Sequence, residues 1–84
     1  REAFAIHREL GNRRSEGTHL CAYAMLLLIQ GQLEPARQTW QEGASILREI
    51  GDTVAHRLRA AEMLKTCASA GVAPFEESVP EIRN

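Results

Sequence analysis

The chain has 84 residues, of which ten are Lys or Arg and eleven are Asp or Glu, giving a formal net charge of -1. A chain of this length holds one small domain, and its mixed charge argues against the concentrated basic surface that nucleic-acid binding needs. The longest apolar run, residues 20–29, has ten residues, whereas a helix that crosses a bilayer needs roughly 20. No export signal is recognisable at the start of the sequence, so we expect a cytoplasmic protein with no membrane partner.

The sequence repeats itself at a spacing of 40 residues. Residues 6–12 align with residues 46–52, and four of the seven positions are identical. The same spacing places Gly31 opposite Gly71. Glycine commonly ends a helix because it adopts the left-handed conformation that closes the last turn. The predicted helix ends are therefore Gly11, Gly31, Gly51 and Gly71.

Four helices are predicted between these ends, because each stretch carries apolar residues at helical spacing. The ranges are about 2–10, 14–30, 34–50 and 53–70. The second helix is apolar on nearly all sides, which indicates a central position. Beyond the last helix, Pro80 would stop any helix that begins at Pro74. Residues 73–84 are thus predicted to be either a cap over the last helix, anchored by Phe75 and Val79, or a loose tail.

Residues 17–50 resemble the tetratricopeptide repeat. Leu20, Tyr23 and Ala24 resemble the large, large and small residues of that family's first helix, and Ala36 and Trp40 resemble the small and aromatic residues of its second. The spacing of 40 exceeds the family's usual 34 residues, which is similar to long-helix variants in bacterial signalling proteins. The resemblance implies an all-α fold, a right-handed α-solenoid of antiparallel helix pairs over residues 1–72. It also implies the C-terminal part of a longer array, and we expect the chain to be a fragment of a larger protein.

In that family the first helix of each pair lines a concave groove that binds a peptide or a partner helix. Family members that bind acidic chaperone tails carry Lys, Arg and Asn in this groove, whereas the matching positions here include Cys, Ala and Met. We therefore expect an apolar or amphipathic protein segment as partner. Carried over position by position, the groove residues are Thr18, Cys21, Ala22 and Met25 on one helix and Leu58, Ala61, Glu62 and Lys65 on another. The alternative is a regulatory sensor that binds a small apolar ligand or signal peptide and controls an attached signalling domain.

Catalysis, metal binding and a cofactor are not predicted. Cys21 and Cys67 lie among apolar residues, where a thiol is less reactive, and the histidines and cysteines lack zinc-ligand spacing. The basic pair Arg13 and Arg14 has Glu residues nearby in the sequence. Their charges nearly cancel, which favours a solvated surface. Trp40 shares the apolar stripe of its helix and is predicted to be core.

Repeat units are stabilised mainly by their neighbours, so an uncovered end exposes apolar surface. The first helix lacks its own partner in this sequence. We therefore expect the chain to form a homodimer through its open N-terminal end, unless the tail covers that surface.

Overall fold

The computed structural model describes the backbone of residues 2–76 and the side chains of residues 11–76. It contains three α-helices: α1 (Glu2–Ile29), α2 (Leu33–Glu49) and α3 (Thr53–Ala70). The part of the chain that the structure describes has no β-strand, so the prediction of an all-α fold is confirmed. Helices α2 and α3 lie within a residue of their predicted ranges.

The predicted helix end at Gly11 is wrong for this structure, because α1 continues through that residue and joins the first two predicted helices. A glycine inside a helix costs only about 1 kcal/mol relative to alanine, so the residue does not end a helix by itself. Within residues 2–76, three helices therefore form in place of the predicted four.

The other three predicted helix ends are confirmed. Gly31, Gly51 and Gly71 have φ angles of 83°, 72° and 74°, in the left-handed region that glycine enters without steric cost. Each glycine N–H bonds to a carbonyl three residues earlier, and the next N–H bonds to a carbonyl five residues earlier. This pair of bonds closes the last helical carbonyls and lets the chain reverse.

Helices α1 and α2 are antiparallel and approach each other through two glycines. A Cβ atom on Gly17 of α1 would lie 3.0 Å from Leu47 Cδ2, and one on Gly43 of α2 would lie 2.7 Å from the Gly17 carbonyl oxygen. The close approach of the two helices encloses a core in which Trp40 is fully buried. The predicted core position of Trp40 is thus confirmed. Cys21 and Cys67 are buried free thiols.

Helix α3 begins at a capping residue and then runs alongside α1 in the same direction. The Asp52 carboxylate accepts a hydrogen bond from the Ala55 N–H at 3.0 Å and is paired with Arg14 of α1. Beyond α3 the chain turns back onto the core, and Phe75 is buried there, with its N–H 3.3 Å from the Met63 sulfur. Phe75 therefore contacts the last helix as expected, whereas Val79 lies outside the described residues.

Candidate partner-binding cleft

A cleft of about 290 Å³ lies between α1 and α3. Ala22 and Met25 come from α1, where a three-residue spacing puts them on one side of the helix. The α3 side of the cleft includes both a carboxylate and an ammonium group, Glu62 and Lys65. The lining residues are Ala22, Met25, Arg59, Glu62, Lys65 and Thr66. Four of the eight predicted groove residues are thus brought together.

The start of α3 is fixed against α1 by the Asp52 cap. The hydrogen bond from the Ala55 N–H is the main reason why the pKa of Asp52 lies below its usual value, and the Arg14 guanidinium lowers this pKa further. A carboxylate at a helix N-terminus also interacts favourably with the helix dipole. The cap and the ion pair therefore set where α3 begins relative to α1.

Charges in the cleft are mostly on the α3 side. Arg59 and Glu62 form an ion pair at 2.8 Å one turn apart, which neutralises both groups locally. Lys65 is exposed and forms no ion pair with the side chains that the structure describes. Met25 is almost buried, with 8% of its surface exposed, and contributes an apolar edge. The cleft therefore combines an apolar contact with one uncompensated positive charge.

Two of the predicted residues do not line this cleft. Cys21 is fully buried, and a Cβ on Gly43 would lie 2.8 Å from its sulfur, so this thiol faces α2. Burial raises the pKa of Cys21 to about 12. Thr18 is half-buried, and its hydroxyl donates to the Arg14 and Ser15 carbonyls at 3.1 Å. Cys21 is therefore not accessible to a partner in this structure, and Thr18 already has hydrogen-bond partners in its own helix.

The other two predicted residues, Leu58 and Ala61, are exposed on α3 but lie outside the cleft lining. Arg59 and Thr66 line it in their place, and sequence reasoning missed both. The prediction applied the same four repeat positions to α1 and α3. Two of these positions line the cleft from both helices, as Ala22 and Met25 on α1 and as Glu62 and Lys65 on α3, whereas Arg59 and Thr66 each lie one residue away from a predicted position. The three-residue spacing of the opposite charges Arg59 and Glu62 was a signal in the sequence that these two residues share one side of α3.

A second and larger groove, of about 640 Å³, runs between α1 and α2. Leu20 and Ile46 supply apolar surface in it, and Arg13 and Glu49 form an ion pair at its rim. Arg13 also lies 3.3 Å from Glu16. Glu16 is one of the Glu residues close to Arg13 in the sequence, whereas the pairing of Arg14 with Asp52 was not predicted.

Within residues 11–76, no group of three or more His, Cys, Asp or Glu side chains is arranged so that it could hold a metal ion. None of the described helices combines the length and the apolar character needed to cross a membrane.

Comparison with protein-family models, with curated proteins and with solved structures found no match to this chain. The likeness to the tetratricopeptide repeat therefore remains a resemblance carried by the sequence, and a function has to be argued from the residues and the geometry.

Proposed function

We propose that this chain is a protein-interaction module whose cleft between α1 and α3 binds an apolar or amphipathic segment of another protein. The observation that carries the proposal is the convergence of Ala22, Met25, Glu62 and Lys65 on one cleft, because these residues were selected as partner-binding from the sequence alone. Helices joined by three-residue turns and packed against their neighbours form a frame for such a surface. The wider proposal is the C-terminal part of a right-handed tetratricopeptide-like solenoid in a larger bacterial signalling protein.

The chemistry of the cleft favours a particular kind of segment. Ala22 and Met25 present apolar surface, and methionine adapts its shape to different partners. Lys65 supplies a positive charge beside them. An amphipathic helix with one apolar side chain in the cleft and an acidic residue near Lys65 fits this arrangement, in the manner of a helix bound in a groove.

The exposed part of α3 below the cleft extends this surface. Leu58 has 59% of its surface exposed and Val54 has 54%, and both precede Glu62 at four-residue spacing, so they lie on the same side of the helix. A partner helix of three or four turns would cover them as well as the cleft. Leu58 and Val54 would then belong to the same binding surface as the cleft.

The alternative of a sensor for a small apolar ligand has less support. Small-molecule sites are lined mainly by apolar and aromatic side chains, whereas this cleft is bordered by the three charged side chains Arg59, Glu62 and Lys65. A site of this size suits one side chain of a larger partner better than a free ligand.

A peptide-display experiment tests the proposal. Random 16-residue peptides are selected against the chain, and the binding site is mapped by NMR shift changes. Lys65→Glu should weaken the selected peptides at least tenfold, roughly the effect of one favourable contact of about 1.4 kcal/mol. The matched control is Arg57→Glu, the same charge change on the same helix but outside the cleft. Met25→Glu is unsuitable because Met25 is nearly buried and a buried carboxylate would destabilise the fold.

The proposal fails if the selected peptides perturb residues away from the cleft, or if Lys65→Glu and Arg57→Glu weaken binding equally. A small molecule that remains bound through purification and contacts Met25 would instead favour the sensor.

A further inference from the structure

Residues 73–76, which follow α3, are held by side chains of α2 and α3. These four residues form neither a helix nor a strand. The N–H of Phe75 lies 3.3 Å from the Met63 sulfur, and its carbonyl accepts a hydrogen bond from the Gln41 side chain at 2.9 Å. The two backbone groups of Phe75 are therefore satisfied by side chains of other elements and not by a local turn.

The carboxylate of Glu76 is bound from both helices. Its Oε1 atom lies 2.9 Å from Nε2 of His56 on α3, and its Oε2 atom accepts a hydrogen bond from the Arg48 guanidinium of α2 at 3.2 Å. The side chain of His56 is 3% exposed and that of Glu76 is 16% exposed, so salt screens this contact less than it screens a surface pair. Hydrogen bonds to an ionised group are about twice as strong as neutral ones. Together, Arg48 and His56 therefore form a carboxylate site.

The aromatic ring of Phe75 occupies an apolar pocket. The residue is 7% exposed and belongs to the same core cluster as Trp40 and Met63. The Arg37 guanidinium lies 5.7 Å from the ring centroid, within the range of a cation–π interaction. Met63 is fully buried here, whereas Tyr23, its equivalent 40 residues earlier on α1, is 53% exposed. Without Phe75, the surface at Met63 would therefore be an open apolar pocket beside a cation.

The side chains that bind Phe75 and Glu76 are all carried by the two helices. They are Arg37, Gln41 and Arg48 of α2 and His56 and Met63 of α3. The start of α3 is fixed after α2 by the left-handed glycine at position 51 and by the Asp52 cap. The helices, and not residues 73–76, therefore position these side chains, and a site on rigid elements is formed before its ligand binds.

A pocket for one side chain, a charge pair for the next and hydrogen bonds to the backbone between them are the features by which proteins recognise short peptides. We propose that the surface between α2 and α3 is a second peptide-binding site, specific for an aromatic residue followed by Glu. Phe75 and Glu76 occupy it as an intramolecular ligand, and a protein partner with a Phe-Glu pair binds by displacing them. The short connection to α3 gives the chain's own pair a high effective concentration, so it competes strongly with the partner.

This site is separate from the cleft between α1 and α3. Met63 follows Glu62 of the cleft by one residue, which places the two side chains about 100° apart around α3. The inference is therefore independent of the proposed function.

The test uses the whole chain with Phe75→Ala and Glu76→Ala, which empties the site. The probe is a synthetic peptide with blocked ends, Ala-Pro-Phe-Glu-Glu-Ser, the sequence of residues 73–78. NMR shift changes map the binding site, and circular dichroism measures the thermal midpoint, which a ligand of the folded form raises. We expect shift changes at Gln41 and His56, a higher midpoint, and binding at least about tenfold tighter than to the wild-type chain, whose own pair competes.

Two control peptides carry Ala in place of the Phe or of the Glu that follows it, and each should bind at least about tenfold more weakly, the effect of one lost contact. The double variant loses a buried ring, so a chain with Glu76→Ala alone, which keeps Phe75, is tested beside it. That chain should bind the peptide more tightly than the wild type.

The inference is overturned if the peptide raises the midpoint of neither variant, or if the control peptides bind equally well. Shift changes confined to Ala22 and Lys65 would also overturn it, because the peptide would then occupy the cleft. So would a wild-type dimer that Glu76→Ala dissociates, since a second copy would then be the occupant.

Discussion

Gly43 of α2 lies so close to Cys21 of α1 that a Cβ atom on the glycine would be 2.8 Å from the Cys21 sulfur and 2.9 Å from its backbone nitrogen. Real Cβ atoms do not make contacts this short, so the two helices can approach only because position 43 has no side chain. The contact also determines which side of α1 is buried. It turns Cys21 toward α2 and leaves Ala22 and Met25 beside α3, so the cleft between α1 and α3 depends on Gly43.

Gly43→Ala should therefore destabilise the protein, although alanine usually favours a helix. The new methyl group would press against the Gly17 carbonyl at 2.7 Å, and overpacking of this kind costs about 1–3 kcal/mol. Urea unfolding measures the loss. The matched control is Ser45→Ala, an exposed position on the same helix, which should change the free energy of unfolding by less than about 0.5 kcal/mol. Equal stability of the two variants would show that the helices are not in close contact.

The Asp52 cap predicts a pH dependence. The pKa of Asp52 is lowered in the folded state by the Ala55 N–H and then by Arg14. The stabilisation it gives is therefore fully present above its unfolded pKa and is lost as the pH falls through the lower folded value. Asp52→Ala should cost about 1 kcal/mol near neutral pH, the usual value of an N-cap, and the difference from the wild type should shrink below about pH 4.

The control for this prediction is Asp52→Asn, which keeps a capping oxygen and removes the charge. It should retain most of the stability at neutral pH and show a weaker pH dependence than the wild type. If Asp52→Asn lost as much stability as Asp52→Ala, the ion pair with Arg14 and not the cap would be the main contribution of this residue.

The helix ends at Gly31 and Gly51 were predicted correctly, because each glycine recurs in the repeat and lies where the chain direction reverses. It also placed Trp40 in the core, because that residue lies on the only apolar stripe of α2. It was wrong at Gly11, where the local signal is the same as at Gly51 but α1 continues through the glycine. Helix ends that depend on tertiary contacts are not encoded in the local residues alone.

The cleft was only half predicted for a related reason. Periodicity shows that Cys21 and Ala22 lie near an apolar side of α1, but it does not give the rotation of the helix about its axis. That rotation is fixed by the approach of Gly43, a pairwise contact between residues far apart in the sequence. The same limit explains why Arg59 was missed and Leu58 was chosen.

The two thiols should be unreactive in the folded chain. Burial raises the pKa of Cys21 to about 12 and also raises the pKa of Cys67. Since the thiolate is the reactive form, Cys21 at about pH 8 presents on the order of a thousandfold less of it than an ordinary cysteine. We expect modification by a disulfide reagent to be slow without denaturant and rapid in urea. Rapid modification of both thiols in the native protein would contradict their burial.

The final prediction concerns the segment after α3. Phe75 is buried, its N–H contacts the Met63 sulfur at 3.3 Å, and its carbonyl accepts a hydrogen bond from Gln41 at 2.9 Å. Phe75→Ala should therefore lower the free energy of unfolding by about 3 kcal/mol, as for other buried phenylalanines. Pro74→Ala, at the exposed neighbouring residue, is the matched control, and its effect through the unfolded chain should stay below about 1 kcal/mol.

Phe75→Leu separates the contribution of the buried aromatic ring from that of the two backbone hydrogen bonds. It keeps much of the apolar volume and both backbone hydrogen bonds, so it should lose less than about 1.5 kcal/mol. Amide hydrogen exchange provides a local check, because only the packed segment protects the Phe75 N–H. If Phe75→Ala were as harmless as Pro74→Ala and this amide exchanged freely, the chain after α3 would not cover the core, and Met63 would be as open as Tyr23 on α1.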